Sequence, residues 1–172
     1  MGEESGHPAA DVGGDAGRAL TPAEVDAFLA PGRLCRLGWL REDGWPAVVP
    51  VWYEWDGQSF FLVPRARSAW ARAIQRDPRV SLCIDEEEAP TRRVLVRGQG
   101  HILEEPNVGG AWVAIARRMA ERYLGAQGPT YLEPTLPRPR WLIRVEPLAL
   151  TTWQGADWHP RYLEPETPPP HP

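Results

Sequence analysis

From Arg33 onward the chain alternates short apolar runs with turn residues, the rhythm of an antiparallel sheet, and two helical stretches interrupt it. Arg33-Leu34-Cys35-Arg36-Leu37-Gly38-Trp39-Leu40 predicts a strand, and Glu42-Asp43-Gly44 its turn. A second strand is expected from Trp45 through Trp55, because Val48-Val49-Pro50-Val51-Trp52-Tyr53-Glu54-Trp55 is rich in β-branched and aromatic residues. Asp56-Gly57 supplies a tight turn, and Gln58 to Val63 returns as the partner. Arg79 to Ile84 and Arg92 to Leu103 predict two more strands, the latter alternating basic and apolar residues so that one face is buried. Trp141 to Val145 and Leu148 to Trp153 read as the last two.

Three helices punctuate this pattern. Thr21-Pro22-Ala23-Glu24 combines a Thr cap, proline at the first helical position and Glu three residues after the cap; it predicts a short helix ending at Pro31-Gly32 that lids one end of the core. Ser68 is placed to cap a second helix, which runs through Arg76 and stops at Asp77-Pro78. Pro106-Asn107 is expected to open the longest, with Val108, Trp112, Ile115, Ala116, Met119 and Tyr123 on its packing face and Gly125 closing it. Pro129 to Pro139 reads as a proline-studded loop. Six or seven strands, few helices and no βαβ rhythm predict a mainly β fold, an antiparallel barrel with flanking helices.

Length bounds the organisation: 172 residues suit one domain with a real core. Residues 1–19, dominated by small and polar types, and the proline-rich tail 165–172 bury too little to order themselves, which leaves 20–164 as the expected domain. No segment is apolar enough to span a bilayer, and residues 1–19 lack the basic and apolar regions of a signal peptide, so a cytoplasmic protein that does not bind membranes is expected.

Charge narrows the partners. All 19 basic residues are arginine, and the net charge of −4 argues against nucleic acid as a partner. Eight arginines (65, 67, 72, 76, 79, 92, 93 and 97) nevertheless fall in one stretch. Most suit a solvated edge, but Arg65 and Arg67 precede the helix capped by Ser68. Helix-start N–H groups and guanidinium forks together make a seat for a phosphate or carboxylate. Cys35 and Cys83 lie in apolar strands without metal-ligand spacing and read as buried free thiols. Neither GxGxxG nor GxxxxGK[ST] occurs, so a nucleotide held by those loops is excluded. Nine tryptophans suit core and interface packing, and each also offers a flat surface to a planar ligand.

The order of Val48-Val49-Pro50-Val51-Trp52, Arg67-Ser68 through Asp77-Pro78-Arg79-Val80, Arg92 through Gly98, and Trp153-Gln154-Gly155 resembles the split-barrel flavoproteins related to pyridoxamine 5′-phosphate oxidase, including relatives that use the deazaflavin F-420. The resemblance covers about Leu20 to Tyr162. It implies a six- to seven-stranded FMN-binding split barrel that forms a homodimer, with each flavin between subunits and its ring against Val49, Pro50, Val51 and Trp52. The family's Ser-Arg-Lys phosphate clamp is replaced here by Ser68-Ala69-Trp70, leaving Arg65 and Arg67 to supply charge. Arg92 matches the arginine that opens a later family strand, Trp153 the tryptophan of a Trp-Gln-Gly segment, and His159 and Arg161 fall near its His and Arg. The substrate-side Arg and Lys positions do not reproduce, which argues against pyridoxamine-phosphate oxidase activity itself.

Two readings stay open. One is an oxidoreductase using FMN or F-420 that moves a hydride to or from a small conjugated substrate, with Tyr53, Glu54 and His159 as the candidate proton donors. The other is a non-catalytic protein that has lost its phosphate clamp and holds a flavin, haem or tetrapyrrole between Trp52, Trp70, Trp153 and Trp158.

Overall fold

The computed structural model describes residues 17–155. Helix α1 (Pro22–Leu29) is followed by β1 (Cys35–Leu40), β2 (Pro46–Val51), β3 (Glu54–Trp55), β4 (Phe60–Leu62), α2 (Ala69–Arg76), β5 (Arg79–Asp85) and β6 (Thr91–Asn107). The chain then forms α3 (Trp112–Leu124), α4 (Gly128–Leu132) and β7 (Arg140–Gly155).

All seven strands belong to one antiparallel sheet in the order β2-β1-β5-β6-β7-β4-β3. Its two edge strands, β2 and β3, are separated in the chain only by Trp52 and Tyr53. So short a link holds opposite edges of the sheet together, and the sheet therefore curls into a split barrel. The single strand expected from Trp45 to Trp55 is thus two strands on opposite edges. Its continuous apolar run concealed the corner at Trp52 and Tyr53.

Inward residues fill the barrel. The register sets Leu37 opposite Leu82 and Leu82 opposite Val96, all buried. Tyr53, Phe60, Leu62, Ile143 and Val145 complete this core, with Phe28 and Leu29 of α1. A capping box between Thr21 and Glu24 fixes the start of α1. A smaller cluster of Trp112, Ala116, Ala120, Leu132 and Leu142 lies under α3 and α4.

Other differences have local causes. The stretch from Pro106 stays extended, and α3 begins only at Trp112; Val108 is exposed and outside the helix. Asn107, Gly109 and Gly110 occupy the interval, and Gly109 has φ +81°, outside the helical region. Gly125, at φ +54°, does terminate α3. Residues 128–135 form α4 and a short 3-10 turn rather than a loop, because prolines near helix starts extend helices there instead of breaking them. The last two expected strands are one, β7, in which Leu148 bulges between Pro147 (opposite Gly98) and Ala149 (opposite Arg97). Cys35 is buried, but Cys83 is only half-buried, on the outward side of β5. Arg18, before the expected domain start at Leu20, pairs with Gln154 through two 2.8 Å backbone hydrogen bonds.

Candidate functional site

A cleft of about 280 Å³ opens where the barrel corner meets the two helices that follow β6. The end of β2 gives it Pro50, Val51 and Trp52. The segment after β4 adds Val63, Pro64 and Arg65, and the start of α2 adds Ser68 and Trp70. Ala116 and Met119 of α3, Tyr131 and Leu132 of α4, and Arg140 at the head of β7 form the remaining wall.

Trp52 is held from behind. Its ring lies on Tyr123 with centroids 4.7 Å apart and planes 10° apart, and Tyr131 tilts against it at 5.5 Å. Tyr123 is itself fixed, since its hydroxyl donates to the Arg33 carbonyl (2.9 Å) and accepts from the Tyr53 N–H (3.2 Å). Burial pushes the Tyr123 phenol up to about 12, so it stays neutral.

The charged end is built from two paired arginines. Arg65 and Arg140 face each other across an isolated antiparallel bridge, flanked by Ala66 N–H to Pro139 carbonyl (3.1 Å) and Trp141 N–H to Pro64 carbonyl (3.0 Å). Arg140 donates from Nη2 to Thr135 Oγ1 (2.8 Å) and lies 5.6 Å from the Trp112 ring centroid. Its Nε is buried and has no hydrogen-bond partner among the described residues. Burial, and then the Arg65 charge, push the Arg140 guanidinium below its usual value. Ser68 occupies the N-cap position of α2, yet its hydroxyl makes no capping bond.

Of the residues singled out from sequence, Pro50, Val51, Trp52, Arg65, Ser68 and Trp70 meet in this cleft. The others do not. Val49 packs against the barrel core, and Arg67 is exposed off the cleft wall. Tyr53 is fully buried, its hydroxyl donates to the Leu29 carbonyl at 3.0 Å, and burial raises its pKa; it has no proton to offer a ligand. Glu54, a candidate proton donor from sequence, is 8% exposed and bound by Arg118 in a fork of 2.6 and 3.0 Å contacts. Its inward turn follows from the corner before β3, which breaks the alternation counted from β2.

Outside the cleft lining, Arg92 is bound to Glu86 and lies 5.1 Å from the Phe28 ring centroid, while Arg93 covers Trp153 at 5.0 Å. Trp158, His159 and Arg161 lie outside the described residues. Sequence reasoning missed Tyr131 and Arg140. Arg140 carried a signal, for residues 134–145 hold three arginines and no carboxylate.

Comparison with known proteins agrees with this architecture. The family model for pyridoxamine 5′-phosphate oxidase matches residues 21–154. The chain belongs to that family.

Among solved structures, an F420 reductase is similar at 25% identity and a TM-score of 0.60, covering 73% of this chain and 94% of its own. A FAD-binding protein from Mesorhizobium loti (20% identity, TM-score 0.60) covers 82% and 98%. HutZ, the haem storage protein of Vibrio cholerae (17% identity, TM-score 0.59), covers 77% and 93%. The last two likenesses establish the shared fold alone. No curated protein matches the sequence. As a member of the pyridoxamine 5′-phosphate oxidase family, this chain places an indole, Trp70, in the cleft wall where the resemblance expects the lysine of the phosphate clamp.

Proposed function

We propose that the chain is a flavin- or deazaflavin-dependent oxidoreductase, acting in the cytoplasm as a homodimer on a small conjugated substrate. The observation that carries this reading is the cleft itself, which sets Pro50, Val51 and the buttressed Trp52 beside Trp70 and two arginines. Flat apolar walls suit a three-ring system, and a guanidinium pair suits an anionic tail. The likeness to an F420 reductase supports a redox ring as the ligand. A bound flavin or deazaflavin supplies the hydride chemistry, and the protein's part is to orient the ring and exclude water.

Size and register support a dimer. About 280 Å³ lies just below the roughly 300–1,000 Å³ of typical small-molecule sites, so one protomer offers only part of a flavin site. Val48 and Leu95, both exposed, share the outward sheet face with Pro50 at the cleft rim. A second copy packed on that face covers them and closes the cleft. Trp153 does not line the cleft within one protomer, and in this reading it meets the ligand from the partner.

The test is turnover by the purified protein: reduction of FMN with NAD(P)H as hydride donor, and oxidation of reduced F-420 with a small enone as hydride acceptor. A second reading, a carrier for flavin, haem or tetrapyrrole, draws on Trp70 in place of a lysine and on the withdrawal of Tyr53 and Glu54 into structural roles. Tight ligand binding without turnover selects the carrier.

A further inference from the structure

Arg65 and Arg140 form an opposed pair of like charges that no carboxylate among the described residues neutralises. The two hydrogen bonds beside them join Ala66 to Pro139 and Trp141 to Pro64, so Arg65 and Arg140 occupy the position between two ladder bonds. That is the closer kind of antiparallel pair, with side chains on one face. Like charges directly opposite on a sheet destabilise it. Several other arginines do meet carboxylates: Arg33 and Arg92 meet Glu86, Arg118 and Arg122 meet Glu54, and Arg36 meets Asp85. Among the described residues, no carboxylate forms an ion pair with Arg65 or Arg140.

The pair is also held ready. The Thr135 hydroxyl and the Trp112 ring fix the Arg140 guanidinium, whose buried Nε lacks a partner among the described residues, and both arginines line the cleft together with Ser68. Ser68 leaves its hydroxyl unused for capping at the start of α2, where helix N–H groups also face outward. Preorganised donors around an uncompensated charge are the features of an anion seat.

We propose that Arg65 and Arg140, with Ser68, hold the anionic tail of the ring ligand, taking over from the clamp that Trp70 has displaced; Arg67 has no part in it. This rests on the reading of the cleft as a ring-binding site. It fixes which end of the cleft takes the tail and makes a phosphate or carboxylate the group recognised.

The test compares ligands with and without the charged tail on wild type and on Arg65→Gln, Arg140→Gln, Arg140→Lys and Arg67→Gln. FMN against riboflavin reads a phosphate; haemin against its dimethyl ester reads carboxylates. Expected is a loss of about ten- to a hundredfold in affinity for the charged member in R65Q and R140Q, the worth of a charge-assisted hydrogen bond. The uncharged member is unaffected, R140K recovers part of the loss, and R67Q binds like wild type. If R140Q does not fold for want of its Trp112 contact, the exposed R65Q carries the same prediction.

Equal losses for charged and uncharged ligands, or a loss in R67Q as large as in R65Q, overturn the proposal. Should wild type bind no ring ligand at all, the oxidoreductase and carrier readings fall, and the seat is still read with pyrophosphate alone. A rise in the thermal midpoint of wild type that R65Q and R140Q abolish supports it; an equal rise in all three overturns it.

Discussion

Trp52 lies flat against Tyr123, with 4.7 Å between centroids and 10° between planes, so a residue of α3 sets the orientation of the residue at the barrel corner. The Tyr123 hydroxyl binds on both sides, to the Arg33 carbonyl and the Tyr53 N–H. Removing that hydroxyl leaves a buried backbone donor unpaired. Tyr123→Phe is expected to lower stability by about 1–3 kcal/mol in urea denaturation while keeping the stack. Tyr123→Ala removes the stack as well, and ligand affinity at Trp52 then falls with stability. Affinity unchanged in Y123A would separate the buttress from the cleft.

Glu54 gives a second prediction, because its place between Arg118 and Arg122 is structural. Glu54→Ala leaves two arginines facing a pocket without its counter-charge. The expected cost is about 1–3 kcal/mol, below the figure for a fully buried pair because Arg118 is half-exposed and screened. Glu54→Gln keeps part of the hydrogen bonding and loses less. Neither variant alters the pH profile of any turnover; a displaced profile would return Glu54 to the role of proton donor.

The loop between α3 and α4 closes tightly at Gly128. A Cβ there would meet the Ala120 carbonyl carbon and oxygen at 2.6 Å, and a helix backbone cannot give way as a side-chain end can. Gly128→Ala is therefore expected to destabilise by about 1–3 kcal/mol through overpacking. It also displaces Tyr131, three residues on, and weakens ligand binding. Calorimetry and a ligand titration on the same sample check both; neutrality in both contradicts the close approach.

Acid should weaken the fold through two carboxylates. Arg18 and Thr21 hold Glu24 down to about 2 from its ordinary 4.5, and Arg92, with Arg33, holds Glu86 below the usual carboxylate range. A folded-state pKa below the unfolded one means the stabilisation is complete above the ordinary value and lost as pH falls through the folded one. For Glu24 that window runs from 4.5 down to about 2. Glu24→Gln and Glu86→Gln should each lower the thermal midpoint at neutral pH and flatten its decline across this window. An unchanged acid slope in both would place the acid sensitivity elsewhere.

The barrel was legible in the sequence because its strands announce themselves one by one through alternation and turn residues. Asp56-Gly57 is the clearest case: Gly57 takes φ +95°, and the Asp56 carboxylate accepts from the N–H groups of Gln58 and Ser59. The closure of the sheet was not legible, since Val51 to Glu54 reads as unbroken strand and only pairing to different neighbours reveals the corner. For the same reason Tyr53 and Glu54 looked available and are not. Half of the cleft could be anticipated because Pro50 to Trp52 and Arg65 to Trp70 are close in the chain. Tyr131 and Arg140 arrive from beyond α3, and their meeting with Arg65 depends on a bridge between segments 75 residues apart, as the Trp141 to Ala66 hydrogen bond also shows.

The central claim, that this cleft holds a redox ring, is tested most directly by titrating the purified protein with FMN and with F-420 while following tryptophan fluorescence and the ligand's visible absorption. The account predicts saturable binding of one of them at micromolar concentration or below, with a shifted absorption band and quenching that Trp52→Leu largely removes. Absence of saturable binding by both, in protein shown to be folded, would contradict it.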